Sequence, residues 1–218
     1  MSTPPVFDAD RMVLEIPHCG HAKPPWRWFE VDLDQLTPTA LRHDLPAAAA
    51  GAQLSAMTRH QQAEPITVLL ARDRTKHVTH LQFEATGDRH AHAAVSMVRD
   101  QGLVPLPARH LSRPPTASEL ARLADRLASL GAPIIKIAYP ALFPAHVDEA
   151  VRLLERWDHT TTALALIPMG SRRGRAAAHA AGSRLMWIPP RPTRDRWGPA
   201  DHQPPDHPAT PSCEESLL

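Results

Sequence analysis

Cysteine is scarce in this chain. The two present, Cys19 and Cys213, lie near opposite ends. That is too few for a disulfide framework and fits a reducing cytoplasm. A large charge of one sign is also lacking. The formal net charge is +1, so no global field steers the chain toward nucleic acid or an anionic membrane. No apolar run approaches the length of a membrane span. The opening residues, MSTPPVFDADRM, lack the basic and then apolar stretches of a secretory signal. These absences predict a cytoplasmic protein with neither a nucleic-acid nor a membrane partner. Proline (24) and histidine (14) are abundant instead. With so many histidines, any single one carries little weight by itself.

Hydrophobic residues make up 43% of the 218 positions, enough for the core of one domain. No repeat of fixed period is visible. Short apolar runs alternate with helical stretches, the pattern of βα units. The runs are RMVLEI (11–16), RWFEVD (27–32), ITVLLA (66–71), THLQFE (79–84), LVPLPAR (103–109), PIIKIA (133–138), ALALIPM (163–169) and SRLMWIP (183–189). Eight short strands in a chain of this size predict a closed parallel (β/α)8 TIM-type barrel, which leaves no exposed sheet edge.

The clearest helix spans about 116–130. It opens with TASE, in which Thr116 caps and Glu119 reaches back. Leu120, Leu123, Leu127 and Leu130 fall on one face, and Gly131 ends the helix. Other helices are expected near 38–60, 89–100, 145–156 and 172–181. The connections 17–26 and 72–78 are too short for a helix, so several outer helices are expected to be shortened or missing. Barrel surface left bare in this way would favour an oligomer, a homodimer being the simplest. Residues 190–218 are proline-rich, polar and without periodicity, and read as a disordered tail outside the 1–189 barrel.

Lys136 stands in GAPIIKIAYPA, apolar on both sides, as in a strand buried on both faces. Burial disfavours an ammonium, and a neutral amine in an apolar site can attack a ketone to form an imine. The alternative is a lysine that snorkels to the strand end or pairs with a carboxylate. His110 ends the preceding strand, LVPLPARH, on the side where such barrels build their sites. A histidine beside an imine can move a proton at the adjacent carbon. The alternative is an ordinary surface histidine.

GSRRGR, after the seventh run, suits anion binding at a helix N-terminus, or is a solvated basic loop. HCGH (His18, Cys19, His21) has the look of a metal cluster, but no second pair of ligands is spaced to complete one.

The segment ARHLSRPPTASELARLADRLASLGAPIIKIAYPA resembles type I 3-dehydroquinate dehydratases. Their pattern is a strand ending in His, a Thr-Pro-like turn, a helix, Gly-Ala, and a strand with an imine lysine. Downstream, PMGSRRGRAAAHAAGSRLMWIPP resembles the family's Met-containing strand end, Ser-Arg helix start and Gly-Ser strand start. The resemblance is good over about 108–189 and weaker over 11–84.

It implies a lyase of the shikimate route to aromatic amino acids that works through a lysine Schiff base on a small carboxylate ketone. Neither metal nor organic cofactor is implied, because the lysine supplies the electron sink. Lys136 and His110 fall on the catalytic pair. Arg175 falls on the substrate-carboxylate arginine, Met169 on a pocket methionine, Trp187 on a substrate-facing aromatic and Ser183 on the Gly-Ser strand start. Arg72 fits an arginine ending the third strand, and Glu30 an acid of the second. Gln203, in RWGPADHQ, is the candidate for a glutamine on a closing loop.

The chain also departs from the pattern, which leaves open another imine-forming lyase or aldolase, or a catalytically impaired barrel that binds a ligand or a protein. Asp32, in FEVDLDQ, replaces an arginine. Two residues are missing between Met169 and Arg175. The glutamate that orients the family's histidine is absent after Arg72, and Asp73 and Glu84 are the acids available to substitute.

Overall fold

The computed structural model describes residues 12–16, 28–32, 53–58, 79–158 and 161–188. Its strands are β1 (Met12–Ile16), β2 (Trp28–Asp32), β3 (Gln53–Thr58), β4 (His80–Glu84), β5 (Val104–His110), β6 (Ile134–Pro140), β7 (Ala163–Met169) and β8 (Met186–Ile188). They form one eight-stranded sheet in the order β7-β6-β5-β4-β3-β2-β1-β8, and every paired neighbour is parallel. The order is that of a strip rolled into a ring, with β8 beside β1.

The seam between β7 and β8 is joined just ahead of β8. The Arg184 N–H donates to the Leu164 carbonyl at 2.9 Å, and the Leu166 N–H donates to Ser183 Oγ at 3.0 Å. The fold is a (β/α)8 barrel. Among the described residues, helices follow β4, β5, β6 and β7: α1 (Asp88–Asp100), α2 (Ala117–Ala128), α3 (Pro144–Arg156) and α4 (Arg172–Ala180).

From β4 to β7 the strand residues alternate between two cores. Leu106, Ile134, Ala138, Ala165, Ile167 and Leu185 form an inner cluster. Leu81, Phe83, Ile135, Ile137, Tyr139, Leu164 and Leu166 face outward and pack with helix residues such as Val95, Leu120, Leu127 and Leu154. This double burial is why the runs from β4 to β7 read as nearly continuous apolar stretches.

Local signals agree with the packing. Thr116 Oγ1 accepts from the Glu119 N–H at 3.2 Å, and Glu119 Oε2 accepts from the Thr116 N–H at 2.9 Å, closing the expected capping box on α2. Gly131, at φ +75°, turns the chain from that helix into β6. Beyond β6, His146 Nδ1 accepts from the N–H groups of Leu142 and Phe143 at 3.1 and 3.3 Å, fixing the start of α3.

One strand differs from the sequence expectation. The third strand is QLSAMT, inside the stretch read as a helix over 38–60, and not ITVLLA. Pairing decides this: β3 registers with β2 through Glu30↔Ser55 and with β4 through Met57↔Gln82. Residues 66–71 therefore lie in the connection between β3 and β4, outside the described residues. The connection between those strands is correspondingly longer than the 72–78 expected. The 17–26 connection, the HCGH cluster and the 190–218 tail also lie outside them.

Candidate active site

The inner face of the barrel carries the polar groups. Ala108 pairs with Lys136, and Lys136 pairs with Ala165. His110 pairs with Ala138, two residues beyond Lys136 on the same face. At about 3.3 Å per residue and about 4.8 Å between strands, the two Cα atoms are roughly 8 Å apart, within reach of two long side chains. Lys136 is 4% exposed, whereas the His110 side chain is 39% exposed. A buried lysine within β6 thus neighbours, one strand over, a solvent-accessible histidine at the C-terminal end of β5. Ala108 and Ala165, which pair with the lysine, and Ala138, two residues beyond it, are all buried.

Lys136 Nζ donates to Gln82 Oε1 at 2.9 Å. Gln82, on β4, is itself 1% exposed. The two come from alternate strands, as in the side-chain layers of such barrels. In register, Lys136 stands level with Ala108 and Glu84, so its partner is staggered by two residues. The same stagger carried to β2 and then β8 reaches Glu30 and Trp187. Glu30 and Trp187 thus share this layer by backbone position.

Glu84 ends β4 and meets His110 twice. Its Oε2 lies 2.7 Å from His110 Nδ1, and its Oε1 accepts the His110 backbone N–H at 3.0 Å. Arg109 Nη1 also approaches Oε1, at 3.3 Å. Burial by itself would raise the Glu84 pKa. The side-chain and backbone hydrogen bonds from His110, with the charges of His110 and Arg109, outweigh it and hold the carboxyl below its ordinary range. An ionised carboxylate at Nδ1 leaves Nε2 as the ring nitrogen turned away from Glu84. Of the two acids available to orient the histidine, Glu84 occupies that place, and Asp73 lies outside the described residues.

Arg175 sits in the first turn of α4, which Ser171 caps by accepting from the Gly174 N–H at 2.9 Å. It is 8% exposed. Burial, and then the neighbouring charge of Arg172, push its pKa down to about 10, so it remains a cation at neutral pH. Gly174 permits this placement. A Cβ there would lie 2.7 Å from Val147 Cγ2 on α3, so only glycine lets α4 pack this closely. Met169 ends β7 and packs against the inner cluster.

Ser183, expected as a substrate contact, lies at the start of the turn into β8. It is 1% exposed, and its Oγ lies among backbone groups, 3.0 Å from Leu166 N, 3.3 Å from Leu166 O and 3.2 Å from Leu185 O. It fastens the β7–β8 seam. Arg72 and Gln203 fall outside the described residues, and Arg72 does not end the third strand. Asp32, the replaced arginine, pairs with Met57 and through it stands level with Gln82. Among the described residues no three His, Cys, Asp or Glu side chains gather to hold a metal, and no helix is long and apolar enough to cross a membrane.

Gln82 was not singled out in the sequence. The available signal was a polar residue at the centre of an otherwise apolar strand, HLQFE.

No protein-family model matches the chain, and no curated protein does. Solved structures do. A 3-dehydroquinate dehydratase from Geobacillus kaustophilus superposes with a TM-score of 0.70 at 14% identity, covering 84% of each chain. A type I 3-dehydroquinate dehydratase from Clostridium difficile, with covalently modified comenic acid, gives 0.68 at 14% identity over 84% of this chain and 85% of that one. The enzyme from Aquifex aeolicus gives 0.67 at 13% identity over 82% and 88%. The fold is that of type I 3-dehydroquinate dehydratases. At these identities the likeness is one of fold.

Proposed function

We propose that this barrel is a divergent type I 3-dehydroquinate dehydratase, a lyase that converts 3-dehydroquinate to 3-dehydroshikimate through an imine on Lys136. The observation that carries the reading is the pairing of adjacent strands. It sets a buried lysine beside a histidine whose Nδ1 is held 2.7 Å from a carboxylate. The fold shared with dehydratases supports it.

In this reading Lys136 attacks the ring ketone and water leaves to give the protonated imine. The imine draws electron density from the adjacent carbon, and His110 removes a proton there. The electron pair then expels the hydroxyl group, which takes that proton and departs as water. A second water hydrolyses the imine, releasing product and the free lysine. Glu84 holds the imidazole and offsets the imidazolium charge formed in between. Arg175 holds the carboxylate, using the two-pronged geometry that lysine lacks. Met169 and Trp187 shape the pocket, and Glu30 engages a ring hydroxyl.

Mixing the protein with 3-dehydroquinate and borohydride, followed by intact mass and peptide mapping, tests this. An adduct on Lys136, absent in Lys136→Ala, together with formation of 3-dehydroshikimate, is expected. Neither adduct nor product would overturn the reading. Asp32 favours a second reading, in which the same imine chemistry acts on a different ketone, since its charge is opposite to that of the arginine it replaces. Adduct formation with another ketone but not with 3-dehydroquinate would select it.

A further inference from the structure

We propose that Arg109 is a positioning residue that acts through Glu84, holding one oxygen of that carboxylate so that His110, against the other, stays free to work as a base. The inference deepens the imine reading and rests on it for its catalytic meaning.

Two consecutive residues divide the carboxylate between them. Oε1 accepts the His110 backbone N–H at 3.0 Å and Arg109 Nη1 at 3.3 Å, and Oε2 lies 2.7 Å from His110 Nδ1. The Glu84 side chain is 14% exposed and that of Arg109 23%, so water screens the group only in part. A carboxylate this close to an imidazole, by itself, favours the imidazolium. An imidazolium has no lone pair with which to remove a proton. The guanidinium works against this. It does not give up its proton, so it sets a fixed positive charge on the anion that the imidazolium would need.

The seating of Arg109 suits that role. A two-pronged guanidinium would occupy both carboxylate oxygens and displace the ring. Arg109 reaches Oε1 through one nitrogen. Its Nε is buried with no hydrogen-bond partner among the described residues, so the side chain is not placed for its own fullest hydrogen bonding. Glu84 therefore keeps its hold on the ring, and Arg109 sets how strongly the charge of Glu84 is felt there.

Other charged groups stand on the elements around this end of β5. On β6, Lys136 comes two residues before Ala138, the partner of His110. On β4, His80 lies at the far end of the strand from Glu84. Arg113 and Glu119, at the turn into α2, pair with each other at 2.7 Å. Asp88, Arg89 and His90 open α1, the last two exposed. Substituting Arg109 leaves all of these in the chain, so a shift between variants reports Arg109.

The full chain, labelled in its histidine rings, is titrated by NMR. His110→Gln assigns the His110 signal among the fourteen histidines. Arg109→Met removes the charge and keeps the apolar stem. It should raise the pH at which His110 takes up its proton by about one unit, the low end for a neighbouring charge. Arg109→Gln, neutral but still a donor, should raise it likewise, and serves if the methionine variant does not fold. Arg109→Lys keeps the charge and should hold the midpoint near that of the wild type. In a Glu84→Gln chain the loss of Arg109 should shift it by clearly less, because the effect runs through the carboxylate.

A midpoint that the neutral variants leave unmoved, or lower, overturns the proposal. The titration uses no substrate, so the two readings separate. Midpoints that move as stated, while 3-dehydroquinate gives neither adduct nor product, defeat the dehydratase reading and leave Arg109 in its role. Unmoved midpoints in a protein that turns over 3-dehydroquinate keep the dehydratase reading and remove Arg109 from it.

Discussion

Glu84 and His110 lie 26 residues apart in sequence and meet twice in space, through Nδ1 at 2.7 Å and through the backbone N–H at 3.0 Å. The second contact matters as much as the first. A carboxylate anchored on the backbone of the residue it orients cannot swing away without losing both bonds.

Glu84→Gln therefore weakens the hold on the imidazole and removes the charge that offsets the imidazolium. Turnover of the ketone substrate should fall by roughly 10²-fold, the lower range for a positioned acid–base group. Borohydride trapping on Lys136 should persist. Comparing kcat with the trapping rate checks this, and an unchanged kcat would detach Glu84 from catalysis.

Arg175→Met should raise KM for a carboxylate substrate by roughly 10- to 100-fold, the worth of a charge-assisted hydrogen bond. Arg175→Lys should recover only part, because an ammonium cannot form the paired contact. Steady-state kinetics of the three proteins decide it. Full recovery by lysine would show that charge alone is used.

Gly174→Ala tests the approach of α4 to α3. The added Cβ would meet Val147 Cγ2 at 2.7 Å, an overlap that costs about 1–3 kcal/mol in a packed interior. Val147→Ala in the same chain should restore part of the loss, giving a coupling visible in a double-mutant cycle by urea unfolding. Strictly additive effects would mean that the helices do not meet there.

Burial pushes the pKa of His80 from 6.5 down to about 4. Between those values the unfolded chain binds the proton and the folded chain does not, so acid favours unfolding. The stability tied to His80 is complete above about pH 6.5 and declines as the pH falls toward about 4. His80→Asn should flatten this part of the stability curve. Identical slopes in thermal unfolding across that window would refute the assignment.

The second half of the barrel was legible because its signals are local. TASE closes its own capping box, the leucines of α2 share a face, and adjacent strands in a βα series pair. The neighbouring placement of His110 and Lys136 follows from that last rule. The third strand was not legible. ITVLLA has the stronger apolar run, yet QLSAMT is the segment that registers between β2 and β4. Strand propensity describes a segment, whereas membership of a sheet depends on which segment its neighbours pair with. Ser183 shows the same limit. Its position at a strand start was readable, but its hydroxyl answers to the backbone of β7 and β8.

What the sequence determined by itself was the alternation of elements, the barrel class, and the lysine and histidine on consecutive strands. These rest on periodicity and chain order, which are properties of the string. What only the tertiary structure decided was partnership: Glu84 with His110, Gln82 with Lys136, and Gly174 against Val147. Each pair joins residues far apart in the chain, and each depends on the register and stagger of the closed sheet, which no local stretch encodes.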